Sequence, residues 1–235
     1  MTARSKVHAA VLTPAYTAAD LRYDPAQHRS WLPDGREVPH VTAVLGAVGV
    51  STDFDELAAF GPALARRIED ARALGTAVHA DCHAYDDGDL LLETVDSRVW
   101  PFLEAWQACR ADKGLVPFQA SRERRLFHPL YVYAGIADGV FSCGGKIVLA
   151  DIKTGDPDSA AAHLQTAAYE APWNLAHPEL RVDERWAIQL TPGRRTPYRV
   201  LNYTAREDAW MDFPKWSACL SVYNEQPPRR KKLAC

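Results

Sequence analysis

The sequence predicts an α/β domain, and three observations predict it. Apolar residues fall at helical spacing between about residue 53 and Lys113. Phe118 to Lys153 is a succession of β-rich runs separated by turn residues, and beyond it a helix, two strands and a last helix follow. The chain has 235 residues, 47% hydrophobic and 24% charged, which is enough to bury an ordinary core. No repeat or linker interrupts it, so residues 1–225 read as one domain and the polar, basic 226–235 as a disordered tail.

The first 50 residues read as strands and turns. Gln27–Pro33, the turn pair Asp34-Gly35 and Arg36–His40 form a hairpin signal. Val41 opens a short apolar segment ending at Gly46 and Gly49. Ser51, Thr52 or Asp53 can cap the next helix, with Glu56 as capping-box partner of Asp53. That helical region runs, with a break at Gly61-Pro62, through Ala63–Leu74 and Thr76–Tyr85. A third helix is predicted over Ser97–Lys113, where Val99, Phe102, Leu103 and Trp106 share a face. Phe118–Phe127, Val132–Phe141 and Lys146–Lys153 predict a three-stranded meander. Asp156-Pro157-Asp158 opens a helix over Ser159–Ala171, with Asp as cap and Pro at the first helical position, and Pro172 ends or kinks it. Arg185–Leu190 and Tyr198–Tyr203 read as strands around Pro192-Gly193, and Ala205–Tyr223 as the closing helix with a weak point at Pro214.

Composition excludes several classes. No apolar run approaches the roughly 18 residues of a membrane helix, and the patch Val7–Leu12 is too short for a signal peptide. The five cysteines are scattered and odd in number, with no Cys-x-x-Cys pair, so neither a disulfide framework nor a cysteine zinc site is expected. A reducing compartment, the cytoplasm, follows as the expectation. A net charge of −3 by itself does not point to nucleic acid.

Gly135 to Gly155 carries the most chemistry. If Gly144-Gly145 is a two-residue loop, Cys143 faces Lys146, and counting outward puts Asp138 opposite Asp151. Directly opposed carboxylates repel, and a divalent cation between them would remove that cost. Asp151 and Lys153, two apart on a strand, point to one face while Ile152 points to the other. An isolated Asp-x-Lys on a sheet is common; two opposed carboxylates beside it are harder to explain structurally. Two carboxylates and an ammonium on one surface suit metal-and-water chemistry.

These residues resemble the PD-(D/E)XK nuclease superfamily. The likeness is to its RecB-like branch, which includes phage recombination exonucleases similar to lambda exonuclease. Leu74-Gly75-Thr76-Ala77-Val78-His79 is similar to that branch's helix with a metal-binding histidine, and Gly135-Ile136-Ala137-Asp138 to its Gly-x-x-Asp strand. Asp151-Ile152-Lys153-Thr154-Gly155 resembles the acid-x-Lys-Thr-Gly strand, and Gln165 with Tyr169 the Gln-x-x-x-Tyr helix. Gly35 to Leu45 resembles a substrate-side hairpin of phage members. The triplet departs from the commoner pattern in beginning with Asp rather than Glu.

The resemblance implies a restriction-endonuclease-like core, a central mixed β-sheet flanked by helices. It implies Mg²⁺ or Mn²⁺ held by His79, Asp138, Asp151 and the Ile152 backbone carbonyl, with Lys153 beside the attacking water. Gln165 and Tyr169 would contact substrate phosphates or support Lys153, and Glu123 would stand behind the site. The implied activity is DNA phosphodiester hydrolysis, exonucleolytic, in phage-type recombination or DNA processing, in the cytoplasm of a bacterial host if phage-encoded. Implied partners are DNA and a single-strand annealing or recombination protein, with no membrane.

Arg122, Arg124, Arg194 and Arg195 are candidates for the DNA backbone, although such residues are more often just a solvated surface. The closing three-cysteine cluster of iron–sulfur relatives is missing, so no such cluster is expected. His79 and His83 are four apart, a spacing that binds zinc, but no Glu follows His79 directly and no third ligand is evident in the sequence. Two other readings stand beside the nuclease: a catalytically inactive DNA- or partner-binding protein of the same fold, and a helix-rich interaction protein whose acidic face is incidental.

Overall fold

A computed structural model describes residues 16–25, 27–51, 57–118, 125–157 and 160–225. The expected Asp53–Glu56 cap, residues 158 and 159 of the expected helix start, Arg122, Glu123, Arg124 and the tail 226–235 lie outside these residues.

Strands β1 (Arg22–Asp24), β2 (Arg29–Trp31) and β3 (Glu37–Val38) form a small antiparallel sheet in chain order. The expected hairpin is β2–β3, but its loop is longer than two residues. Leu32 N–H donates to Arg36 O at 2.9 Å, leaving Pro33-Asp34-Gly35 as the loop with Gly35 at φ 86°. Pro33 fixes the first loop position, and glycine takes the left-handed last one. The apolar segment after it is helix α1 (Val41–Ala47), because Val41, Val44 and Leu45 bury one helical stripe.

Helix α2 (Pro62–Asp87) begins at its proline, so the expected break is a helix start, and nothing interrupts it before Gly88. Its buried residues are Val78, Cys82 and Asp86, four apart each time. Asp86 fixes α2 to α3 (Trp100–Lys113): its Oδ1 accepts from Trp106 Nε1 at 3.0 Å and from Arg110 Nη1 at 2.6 Å.

The expected meander is divided between two sheets. β5 (Arg125–His128) and β6 (Tyr133–Ile136) form a two-stranded antiparallel sheet, and Ala134 of β6 also makes a single parallel bridge to His40. β7 (Gly139–Cys143) and β8 (Lys146–Lys153) instead join a five-stranded sheet in the order β10-β9-β8-β7-β4, completed by β4 (Val116–Pro117), β9 (Glu184–Leu190) and β10 (Tyr198–Asn202). The β8–β9 pair is parallel and the others are antiparallel. The run Val132–Phe141 thus changes sheets at Ala137-Asp138.

Helices cover both faces of this mixed sheet. Phe141, Val148, Ala150, Ile152, Trp186, Ile188 and Leu190 pack with α2 and α3 in one cluster. Val140 and Leu149 pack on the other side against α1, α4 (Ala160–Ala176) and α5 (Asp212–Glu225). α4 runs on through Pro172. Proline there supplies no N–H to the Ala168 carbonyl, and the buried Tyr133 hydroxyl donates to that oxygen at 2.9 Å instead. Pro214 lies in the first turn of α5, where its missing N–H costs nothing, so the expected weak point is a helix beginning. Arg185, almost fully buried on β9, locks α4 and α5 to the sheet through Glu170 at 3.1 Å, Asp212 at 2.9 Å and the His163 carbonyl at 3.1 Å. Among the described residues no helix is long and apolar enough to cross a membrane.

Gly135 decides how closely β6 approaches α4. A Cβ on it would stand 2.5 Å from Tyr169 Cε1, well inside contact distance. Gly135→Ala should therefore destabilise the protein by about 1–3 kcal/mol, the range of overpacked cores, read as a lowered denaturation midpoint. An unchanged midpoint would show that Tyr169 moves aside without cost.

Candidate metal and catalytic site

The hairpin register is the one the sequence predicts. Cys143 pairs with Lys146, and Gly144 and Gly145 both have positive φ, 56° and 82°, as a type I′ turn requires. The ladder closes at Gly139–Ala150. Asp138 stands one residue beyond it, in line with Asp151. In this register Ile152 N–H would next donate to the Ala137 carbonyl. Asp138 takes that place: its Oδ2 accepts from Ile152 N–H at 2.7 Å. A side chain has replaced the backbone acceptor, which ends the ladder and frees β6 to leave the sheet. The same alternation directs the Ile152 carbonyl towards the β7 side, where Asp138 lies.

The other oxygen of Asp138 faces α2. His79 Nδ1 donates to Oδ1 at 2.7 Å and His83 Nε2 at 3.2 Å. One helical turn apart, the two imidazoles lie on one stripe beside the buried Val78-Cys82-Asp86 stripe. Burial opposes ionisation of Asp138, but the attraction and hydrogen bonds of His79 and His83 outweigh it and hold the carboxyl below the ordinary range. In return the Asp138 charge holds His79 above the usual histidine value, against its own burial. Donor atoms of His79, His83 and Asp138 all lie within 4.8 Å of one another, so this group could hold a metal ion. Its imidazole and carboxylate donors suit a divalent transition ion.

Asp151 and Lys153 face α4. Their Oδ2 and Nζ are 2.8 Å apart, and Asp151 Oδ2 is otherwise without a hydrogen-bond donor among the described residues. Burial pushes the Asp151 carboxyl up; Lys153 opposes this and Asp138 adds to it, for a net rise. Burial works against the charge of Lys153, yet Asp151 keeps its ammonium above the ordinary value. Lys153 Nζ donates to Gln165 Oε1 at 3.1 Å, and Gln165 Nε2 donates to the Tyr169 hydroxyl at 2.9 Å. Gln165 and Tyr169 thus support Lys153, and Tyr169 is itself buried in the space that Gly135 leaves.

The structure therefore brings together Asp138, Asp151, Lys153, His79, Gln165 and Tyr169. Arg194 and Arg195 are exposed in the turn after β9. Because β8 and β9 are parallel with Lys153 opposite Gln189, that turn extends beyond the same end of the sheet. Sequence reasoning noted His83 beside His79 and set it aside for want of a third ligand. The signal was its spacing from His79; the missing third ligand was Asp138, 55 residues further on and joined to it only by folding.

The His79–Asp138 pair has a pH signature in metal-free protein. A raised histidine contributes stability that is complete below its unfolded value of about 6.5 and is lost as pH rises through the folded value. Thermal melts in chelator across this range should show wild type losing more stability with rising pH than His79→Gln. Parallel pH profiles would mean that the pair contributes nothing.

No protein-family model matches this chain and no curated protein matches it, so what the site does is read from the arrangement of Asp138, Asp151, Lys153 and the α2 histidines.

Proposed function

We propose that this protein is a Mg²⁺- or Mn²⁺-dependent deoxyribonuclease with a restriction-endonuclease-like core, of the RecB-like PD-(D/E)XK type, acting as an exonuclease in phage-type recombination or DNA processing. The observation that carries the reading is the meeting of Asp138 with Asp151-Ile152-Lys153 at one end of the β7–β8 hairpin, backed by Gln165 and Tyr169 and flanked by His79. Four motifs spread over some ninety residues serve one small region, which a solvated acidic sheet face would not require.

His79 and Asp138 would hold the ion, with Asp151 and the Ile152 carbonyl next to them at the strand end. A bound divalent ion would polarise the phosphate and acidify the attacking water. Lys153, kept as an ammonium by Asp151, is a charge donor and not a base. It would stabilise the negative charge that builds on the phosphate oxygens as water attacks phosphorus. Gln165 holds that ammonium in place from the α4 side, with Tyr169 holding Gln165. Asp151 Oδ2, buried and 2.8 Å from Lys153 Nζ, would keep that ammonium charged beside the reacting phosphate. Arg194 and Arg195 would meet the DNA backbone beyond the sheet end.

End-labelled linear, nicked and circular DNA incubated with Mg²⁺, Mn²⁺ or chelator tests this. Wild type should degrade linear DNA from its ends only with metal. Lys153→Ala should slow turnover by about 10²-fold or more while still binding metal, and Asp138→Asn, whose amide oxygen can still accept from Ile152 N–H, should abolish cleavage. Full activity in either variant, or none in wild type with any of these substrates and ions, would overturn the assignment.

A further inference from the structure

We propose that His83 is a protein ligand of the bound ion, making a centre of two imidazoles and one carboxylate that retains Mn²⁺ in preference to Mg²⁺. The family resemblance supplies one histidine only; the second comes from this chain's own geometry. His83 Nε2 is 3.2 Å from Asp138 Oδ1, the oxygen that His79 Nδ1 also reaches at 2.7 Å. The three donor atoms lie within 4.8 Å of one another, close enough to converge on a single ion. Asp151 is not in that group, and its Oδ2 is engaged by Lys153 at 2.8 Å. An ion can therefore displace the imidazole protons from Asp138 without breaking the Asp151–Lys153 pair.

The supports of the two imidazoles are stiff. Both project from α2, and the neighbouring stripe of that helix is anchored by Val78, Cys82 and Asp86, with Asp86 tied to Trp106 and Arg110 of α3. Asp138 is held from behind by Ile152 N–H. Ligands fixed this way do not have to be ordered when the ion arrives, and two nitrogens among three protein donors disfavour a hard oxygen-seeking cation. Mn²⁺ accepts imidazole and still keeps open positions for water and phosphate. The inference rests on the metal part of the nuclease reading but not on its chemistry.

The test uses the full chain, stripped of metal, with Mn²⁺ alone or Mg²⁺ alone added and no DNA present. Calorimetry should show tighter binding of Mn²⁺ than of Mg²⁺. Pulsed electron paramagnetic resonance of the Mn²⁺ form should show coupling to two imidazole nitrogens. His83→Ala should weaken Mn²⁺ by about tenfold or more, since even indirect supports of a ligand cost 10–100-fold, should remove one nitrogen coupling, and should affect Mg²⁺ less. His83→Gln, which keeps a side-chain N–H for Asp138, guards against a folding defect and should show the same loss of nitrogen coupling. Asp151→Asn should stay closer to wild type in Mn²⁺ affinity than either His83 variant. A single nitrogen coupling in wild type, unchanged Mn²⁺ affinity in both His83 variants, or a larger loss in Asp151→Asn would each overturn the proposal. Two nitrogens with no DNA cleavage would leave this centre standing and sink the nuclease; cleavage with one nitrogen would do the reverse.

Discussion

The carboxylate of Asp138 is the interaction on which the other parts depend. One oxygen takes the Ile152 N–H of β8, and the other takes the imidazoles of His79 and His83 on α2. A buried carboxylate is costly unless it is paired and hydrogen-bonded. Here the donors come from a strand and a helix far apart in the chain, so satisfying one side chain also fixes how α2 lies against the end of the sheet. The same contact explains why β6 and β7, continuous in sequence, belong to different sheets: the acceptor that would extend the β7–β8 ladder is a side chain, and the backbone before it is released.

A second chain of contacts starts from the neighbouring face. Asp151 holds Lys153, Lys153 donates to Gln165, and Gln165 donates to Tyr169. Each support has its own support. Tyr169 fits because Gly135 has no side chain, α4 continues past Pro172 because Tyr133 supplies the missing donor, and Arg185 ties α4 and α5 to β9 through charged groups that burial strengthens. The ammonium is thus positioned by regular elements and not by loops, the condition for placing a charge accurately against a reacting group.

The two chains of contacts meet at the end of β8 from opposite sides of the sheet. Lys153 and its supports lie with α4; the imidazoles come from α2, which packs on the other face. They can meet because the β7–β8 ladder stops at Gly139–Ala150, leaving the strand end open between the layers. Adjacent β8 and β9 run parallel, so their carboxyl ends share this edge, the usual location of ligand sites in open sheets with helices on both faces. One arrangement thus offers an acidic, imidazole-rich position for a cation beside a fixed ammonium.

Local rules were enough for much of this. Two adjacent glycines dictated a tight turn, and the period of two along each strand then carried Asp138 into line with Asp151 and put Lys153 on the face of Asp151. Helical periodicity located α2, α3 and α4, and put Gln165 beside Tyr169. The strand-like start was misread at Val41, where burial of three residues favoured a helix, and the weak point expected at Pro214 is a helix beginning; of the two outcomes open at Pro172, the helix does not end there. What the sequence determined by itself was the register, because a two-residue loop and the alternation of side chains are properties of neighbouring residues. What only the tertiary structure decided was that Asp138 ends the ladder and that His83 belongs to the site, because both follow from long-range contacts between α2 and the end of β8 that no local period encodes.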